Sequence, residues 1–443
     1  MADFLKITFQ GCSVDRWSSY VLEPVCLTED DYERMKVLGW RAWVSRLSHD
    51  RRNHLSDDSE FFIPSARDWY MPTASHHWAS KRWTFPLETS YETPRLPGKD
   101  GAPVAEVVWV DIFRFPETAI LVIHLAACRS LDDADVRWVS KATSEWLPKD
   151  EGHWLATWRA GGRDVGTLRD WVMAHLLGVS YQQDVRRVNG ALHWFGNVAP
   201  TLTLLRRSDV PNWSAPELTS LITHICLGVE DEVEQYGPSE NIRSAIEGQF
   251  VQEWEDWRLH EWRNRMVMVY GGDTRGGQPK NTHRYYVPII ASVLYQRITI
   301  TAYLDRFMGG AEDDGALRRM FARFRREFLA HRISSYPMGN RVYEFLREVN
   351  KIPETFKDVE DELQAADQLT RLELERQETG LVRNLTMLAA IFVPVSAISS
   401  IYGADQDQIY NVKTWFWMFS GVATVAVVGW LFYGIRKLKK AGG

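Results

Sequence analysis

The chain has 443 residues, of which 45% are hydrophobic and 25% charged, with a formal net charge of -6. That length asks for more than one domain, and the average polarity excludes a disordered chain, a collagen-like chain and one made mostly of membrane spans. Charge is unevenly placed: from Asn384 onward Lys413, Arg436, Lys437, Lys439 and Lys440 face only Asp405 and Asp407, a net of +3 that leaves -9 for the first 383 residues.

The start, MADFLKITFQGCSVDRW, has neither the apolar core nor the cleavage site of a signal peptide. Cys12, Cys26, Cys128 and Cys226 are far apart and form no C-x-x-C pair, so free thiols in a reducing core are expected. Residues 1–245 read as a cytoplasmic α/β domain. The β-branched runs 104–113 and 118–125 predict two paired strands around an Arg-Phe-Pro-Glu turn. Helices are expected over 130–146 and over 215–236, the second with Leu218, Leu221, Ile222 and Ile225 on one stripe.

From about Ile246 to residue 383 the pattern reads as a helical and stalk region. Residues 253–268 alternate aromatic and charged side chains at a spacing that predicts a helix, closed by the Gly-rich stretch 270–281. Residues 285–304 are apolar, but Gln296 and Arg297 interrupt them, which predicts a buried helix of a soluble domain rather than a span. Helices follow over 316–333, with Leu317, Phe321, Phe324 and Phe328 in line, and over 341–350. After Pro353 a long amphipathic helix is expected, with Val359, Leu363, Ala366, Leu369 and Leu372 at three- and four-residue steps. It runs into the next segment with no breaker but Gly380. Such a rod can transmit force to a gate or serve as an assembly spacer, and the sequence leaves both open.

Residues 384–443 read as a two-helix transmembrane domain. Positions 384–404 and 414–435 are runs of 21 and 22 uncharged residues, each about 30 Å long as a helix and so able to cross a bilayer. Trp415, Trp417, Trp430 and Tyr433 lie where interfacial rings belong. Arg383 before the first span and the basic end after the second place both termini on the cytoplasmic side of a cell (inner) membrane, with the nine-residue loop 405–413 outside. In the first span Ala389, Val393, Ser396, Ser400 and Gly403 share a small, hydroxyl-bearing face. That face suits close helix packing or the wall of a water-filled path.

No G-x-x-x-x-G-K-[ST], H-E-x-x-H or G-x-S-x-G signature is present, His76 and His77 are adjacent and so project apart, and no enzyme is expected. Net acidity argues against a nucleic-acid partner. Of the 20 tryptophans all but Trp415, Trp417 and Trp430 precede residue 263, most simply as core.

The stretch Leu385, Thr386, Ala389, Ile391, Phe392, Pro394, Ser396, Ile398, Ile401, Tyr402, Gly403, followed by a short loop, an aromatic-rich second span and a basic end, resembles the tail of the CorA family of divalent-cation channels. The resemblance implies an α+β cytoplasmic domain, a long stalk helix and two C-terminal transmembrane helices in a funnel-shaped homopentamer, with the first span lining an axial pore. It implies a lipid bilayer and further copies of the chain as partners, and Mg2+ or another divalent cation as cargo or regulator rather than as a resident cofactor. Tyr402, Gly403, Ala404, Asp405 and Asp407 would form the selectivity mouth, with Asp405 as the metal-facing group. Ala389, Val393, Ser396 and Ser400 would line the pore, and Val382 and Leu385 would form the hydrophobic gate, with Val393 a further ring of that constriction.

One departure stands out. The family has Gly-Met-Asn at the mouth, whose neutral amide ring recognises a hydrated ion, and this chain has Gly403, Ala404 and Asp405. A carboxylate ring keeps cation preference while changing how strongly the ion is held. Two other readings remain: a ligand-gated membrane effector on the same scaffold, opened by a small signalling ligand, and a non-conducting membrane-anchored interaction module.

Overall fold

In a computed structural model of the chain, the described residues are 17–25, 27–42, 61–62, 82–85, 87, 93–98, 100–116, 118–144, 157–178, 199–207, 213, 216–228, 240–252, 257–271, 282–308, 314–329, 332–402 and 421. The chain divides into two compact units, 1–360 and 361–443.

The first unit is built on one 12-stranded sheet. Its longest strands are β1 (Trp17–Val25), β5 (Pro103–Arg114) and β6 (Ala119–Ala127), with β1 and β5 both antiparallel to β6. The expected strand pair at 104–113 and 118–125 is therefore present. β9 (Thr201–Arg206) lies on the other side of β1, and β12 (Arg265–Tyr270) joins β9 in parallel. β11 (Trp257–Trp262) and β10 (Phe250–Val251) complete that side. On the far side of β5 come β4 (Arg95–Pro97), β7 (Trp158–Ala160) and β8 (Arg163–Gly166), while β3 (Arg82–Phe85) also pairs with β5 and carries β2 (Arg41–Ala42).

The helix expected over 253–268 is thus corrected to a β-hairpin, and the sheet takes strands from both sides of residue 245. Helical spacing is misleading here because Trp257, Leu259 and Glu261 are buried on one face and His260 on the other. A strand buried on both faces shows no clean alternation. The hairpin turns on Arg263 and Asn264, with φ of +49° and +73°, the pair of positive values that a two-residue type I′ loop requires.

Strand parity separates two cores. Trp17, Val21 and Val25 of β1 and Leu121, Ile123 and Leu125 of β6 share a cluster with α2 (Asp133–Ser144), through Val136 and Val139. The same cluster takes Leu218, Leu221, Ile222 and Ile225 of α4 (Pro216–Leu227), the stripe expected from the sequence. Tyr20, Leu22, Ile120 and Val122 are equally buried but point the other way, towards α6 (Val287–Met308), which packs on β1 and β6. A bulge between Val107 and Trp109 shifts the phase of β5, so Val107 and Val110 both face the first core while Trp109 and Asp111 face the second. Shorter helices also belong to this unit, among them α1 (Glu29–Val37), α3 (Leu168–Trp171), which continues as a π-helical turn over Val172–Leu177, and α5 (Glu240–Gly248).

Among the described residues one stretch, Thr282–Arg306, has the length and apolarity to cross a membrane, and 78% of its apolar window is buried inside the protein. It packs against α7 (Asp314–Phe328) and α8 (Pro337–Val349). Gln296, the interruption that marks it as a core helix, is fully buried and its Nε2 donates to Phe328 O (2.6 Å) and Tyr343 Oη (2.9 Å). Leu317, Phe321, Phe324 and Phe328 of α7 are buried as their spacing requires.

The long amphipathic helix is α9, Ile352–Tyr402, 51 residues and about 76 Å at 1.5 Å per residue. It passes through Gly380 and Pro394 without a break. Cys226 is buried, but Cys128 is exposed at the end of β6, which corrects the expectation of core thiols throughout; Cys12 and Cys26 lie outside the described residues.

Candidate functional site

Along α9 the exposed side chains change character. From Asp361 to Glu378 the exposed positions are dominated by charge, including Asp361, Glu362, Asp367, Arg371, Glu373 and Glu375. Leu369, Leu372 and Leu374 are exposed among these charges, and beyond Gly380 large apolar side chains become the more frequent exposed type: Leu381, Val382, Leu385, Leu388, Phe392 and Val393 are each between 51% and 64% accessible. At 100° per residue these positions fall within one arc of about 140°, a broad apolar face. Exposing that much apolar surface to water costs about 25 cal/mol per Å2, so this length of helix needs lipid or other protein around it.

The unbroken helix also fixes the register of the expected pathway. Successive steps of 100° bring positions 382, 385, 389, 393, 396 and 400 within one stripe, so the two expected gate residues, Val382 and Leu385, lie in line with Ala389, Val393, Ser396 and Ser400. Tyr402 is the last residue of α9. Gly403, Ala404, Asp405 and Asp407 lie outside the described residues, as does the second expected span apart from the helical Gly421.

Among the described residues, the acidic groups at 132–135 and at 360 are engaged locally. The Asp132 carboxylate accepts from the Asp135 backbone N–H (2.7 Å) at the start of α2, Asp133 pairs with Arg207 (3.1 Å) and Asp135 with Arg129 (3.4 Å). Glu360 pairs with Arg325 of α7 (2.7 Å). No group of three or more His, Cys, Asp or Glu able to hold a metal occurs among the described residues.

Two polar assemblies were invisible in the sequence. The first is a buried layer on the second face of the sheet. Arg82 of β3 donates to Asp111 of β5 through Nη2 (2.5 Å) and Nε (3.2 Å), and its Nη2 also reaches His283 Nε2 (3.0 Å). Arg82 and Asp111 are 0% and 1% exposed. Because Arg82 donates to Nε2, the neutral His283 ring carries its proton on Nδ1. His124 of β6 lies between Tyr20 (centroids 4.5 Å) and Trp109 (4.1 Å). Tyr20 Oη, Asp111 Oδ1, His283 Nδ1 and both His124 nitrogens are buried with no hydrogen-bond partner among the described residues. Burial holds both histidines well below their usual pKa; His283 and Asp111 act on His124, and Arg82 and Arg284 push His283 further down. Burial likewise raises the Tyr20 hydroxyl well above its usual value. Contributors from five separate segments spread over more than 260 positions leave no local motif.

No protein-family model matches the chain, and neither does any curated protein. The residues themselves therefore carry the functional argument.

The second assembly lies at the root of α9. Glu261 Oε1 accepts from Asn350 Nδ2 (2.8 Å), Asn350 Oδ1 accepts from Arg297 Nη1 (2.9 Å), and Arg297 Nη1 also donates to Asn264 Oδ1 in the hairpin turn. Burial pushes the Glu261 carboxyl up to about 7, against the opposing pull of the Asn350 hydrogen bond and the Arg297 charge.

Proposed function

We propose that this chain is the subunit of a CorA-like membrane channel that conducts cations, Mg2+ or a related divalent ion, through a homopentameric pore lined by the first span. The observation that supports this most is α9 itself, one helix that contains both a charged segment and the apolar, exposed run from Leu381 onward. Two spans per chain cannot enclose a path, so five copies supply the wall. In this reading Val382 and Leu385 form rings that close the path by excluding water, Val393 adds a further ring, and Ala389, Ser396 and Ser400 give it a narrow, hydroxylated lining. The mouth is formed by Tyr402, Gly403, Ala404, Asp405 and Asp407, where a ring of Asp405 carboxylates gathers cations by charge. The ion is cargo, so the protein needs no resident cofactor. The first unit stands on the cytoplasmic side, with both termini.

The assembly is tested by the mass of the full chain purified in detergent, measured by light scattering with the detergent contribution subtracted. A particle of about five chains is expected; a monomer or dimer that persists at high protein concentration and in lipid nanodiscs overturns the pore.

A further inference from the structure

Where α8 hands over to α9 the chain turns on a single residue. Lys351 sits between Asn350, the C-cap of α8, and Ile352, the first residue of α9, with φ of +53°, a conformation that residues with side chains rarely adopt. Asn350 holds this turn with its whole amide. Nδ2 donates to Leu346 O (2.8 Å) as well as to Glu261, and Oδ1 accepts from Arg297. The joint therefore ties the root of α9 to the β11–β12 hairpin and to α6.

Glu261 is the buried carboxylate of this joint. It is 2% exposed, and its Oε2 has no hydrogen-bond partner among the described residues. The groups that face it are Asn350 from the end of α8, Arg297 from α6 and Cys226 from α4, with Arg265 of β12 beside Cys226. A lone buried carboxylate with one oxygen unsatisfied is costly as an anion and cheap as an acid.

We infer that Glu261 is a proton-operated latch on the root of α9: protonated, it leaves the Asn350 joint closed, and ionised, it favours release of that joint. The direction follows from linkage. In the closed joint the carboxyl is held up to about 7, while in an opened, solvated joint it returns towards 4.5. Between those values closing takes up a proton, so the closed form is favoured as pH falls, and above about 7 both forms are ionised and the dependence ends. The effect on conduction rests on the channel reading, because the latch governs the freedom of the helix whose distal part would line the pore. The latch itself does not need conduction.

The test is amide hydrogen exchange of residues 346–360 in the full chain in liposomes between pH 5 and 8.5, corrected for intrinsic rates. The opening constant is expected to rise by up to roughly tenfold per pH unit towards neutrality and to level off above about 7. Glu261→Gln should abolish that slope. Asn350→Ala, which removes a hydrogen bond that favours the ionised carboxyl, should move the plateau to higher pH, and this variant decides the matter should Glu261→Gln fail to fold. A wild-type opening constant that is flat with pH, or a slope retained in Glu261→Gln, or a plateau unmoved in Asn350→Ala, overturns the latch. Because exchange is read without ion flux, a working latch in a protein that conducts nothing would refute the channel and leave the latch standing.

Discussion

Tyr20 and His124 are direct partners in the antiparallel pairing of β1 and β6, and their rings stack with centroids 4.5 Å apart and planes 21° from parallel. The pairing places an imidazole in the centre of the sheet, where Trp109 covers its other side and Arg82, Asp111 and His283 lie nearby. Burial is the main reason both histidines stay neutral there.

Acid should therefore unfold the first unit. The folded-state pKa of His124 and of His283 lies below the usual 6.5, so the unfolded chain takes up protons that the folded chain refuses, and stability is lost as pH falls below about 6.5. The slope is about 1.4 kcal/mol per pH unit for each histidine while the difference lasts. Urea unfolding of the full chain between pH 7 and pH 5 measures the sum of these losses, the similar loss from His260, held down to about 4, and the opposing gain from Glu261, held up to about 7; His124→Phe, which keeps the ring stack, should lower the slope by about 1.4 kcal/mol per pH unit.

The Arg82–Asp111 pair gives a second expectation. Both groups are fully buried, so Asp111→Ala removes the carboxylate paired with a buried guanidinium and should cost about 3–5 kcal/mol. The double change Arg82→Met with Asp111→Leu should cost clearly less than Asp111→Ala alone. Equal losses in the two would mean that packing at these positions, not the loss of the buried carboxylate, carries the effect.

Gln296 fastens three helices from the middle of an apolar one. Gln296→Leu should lower stability by about 1–3 kcal/mol, since Phe328 O and Tyr343 Oη then lose their shared donor within the core. Chemical denaturation reads the loss directly.

The thiols provide a fourth check. Cys226 is buried and its thiol is pushed up to about 12, whereas Cys128 is exposed. Maleimide at neutral pH should modify Cys128 in the native protein and reach Cys226 only after unfolding, as peptide mass analysis would show.

The sequence made some of this legible for clear physical reasons. The strands at 104–113 and 118–125 are rich in β-branched residues, the stripes in α4 and α7 have helical period, and Gln296 and Arg297 marked the apolar helix as a core element. The hairpin at 257–270 escaped because aromatics buried on both faces of a strand mimic helical spacing over a short window. The buried polar layer and the Glu261–Asn350–Arg297 joint escaped because tertiary contact alone brings them together. Nothing local distinguishes Asp111 or Glu261 from a solvated strand carboxylate. The expected gate and pore positions could be named from a resemblance and from spacing, and the continuity of α9 through Gly380 and Pro394 puts those positions on one stripe of the helix.

The central claim is conduction, and its most direct measurement is cation entry into liposomes that contain the purified full chain and a luminal divalent-ion indicator. Saturable entry of Mg2+ or a related divalent ion that exceeds that of empty liposomes is expected, with altered selectivity in Asp405→Ala and a higher resting leak in Leu385→Ser. Absence of both divalent and monovalent flux under every luminal and external condition, from protein shown to be inserted and pentameric, would contradict it.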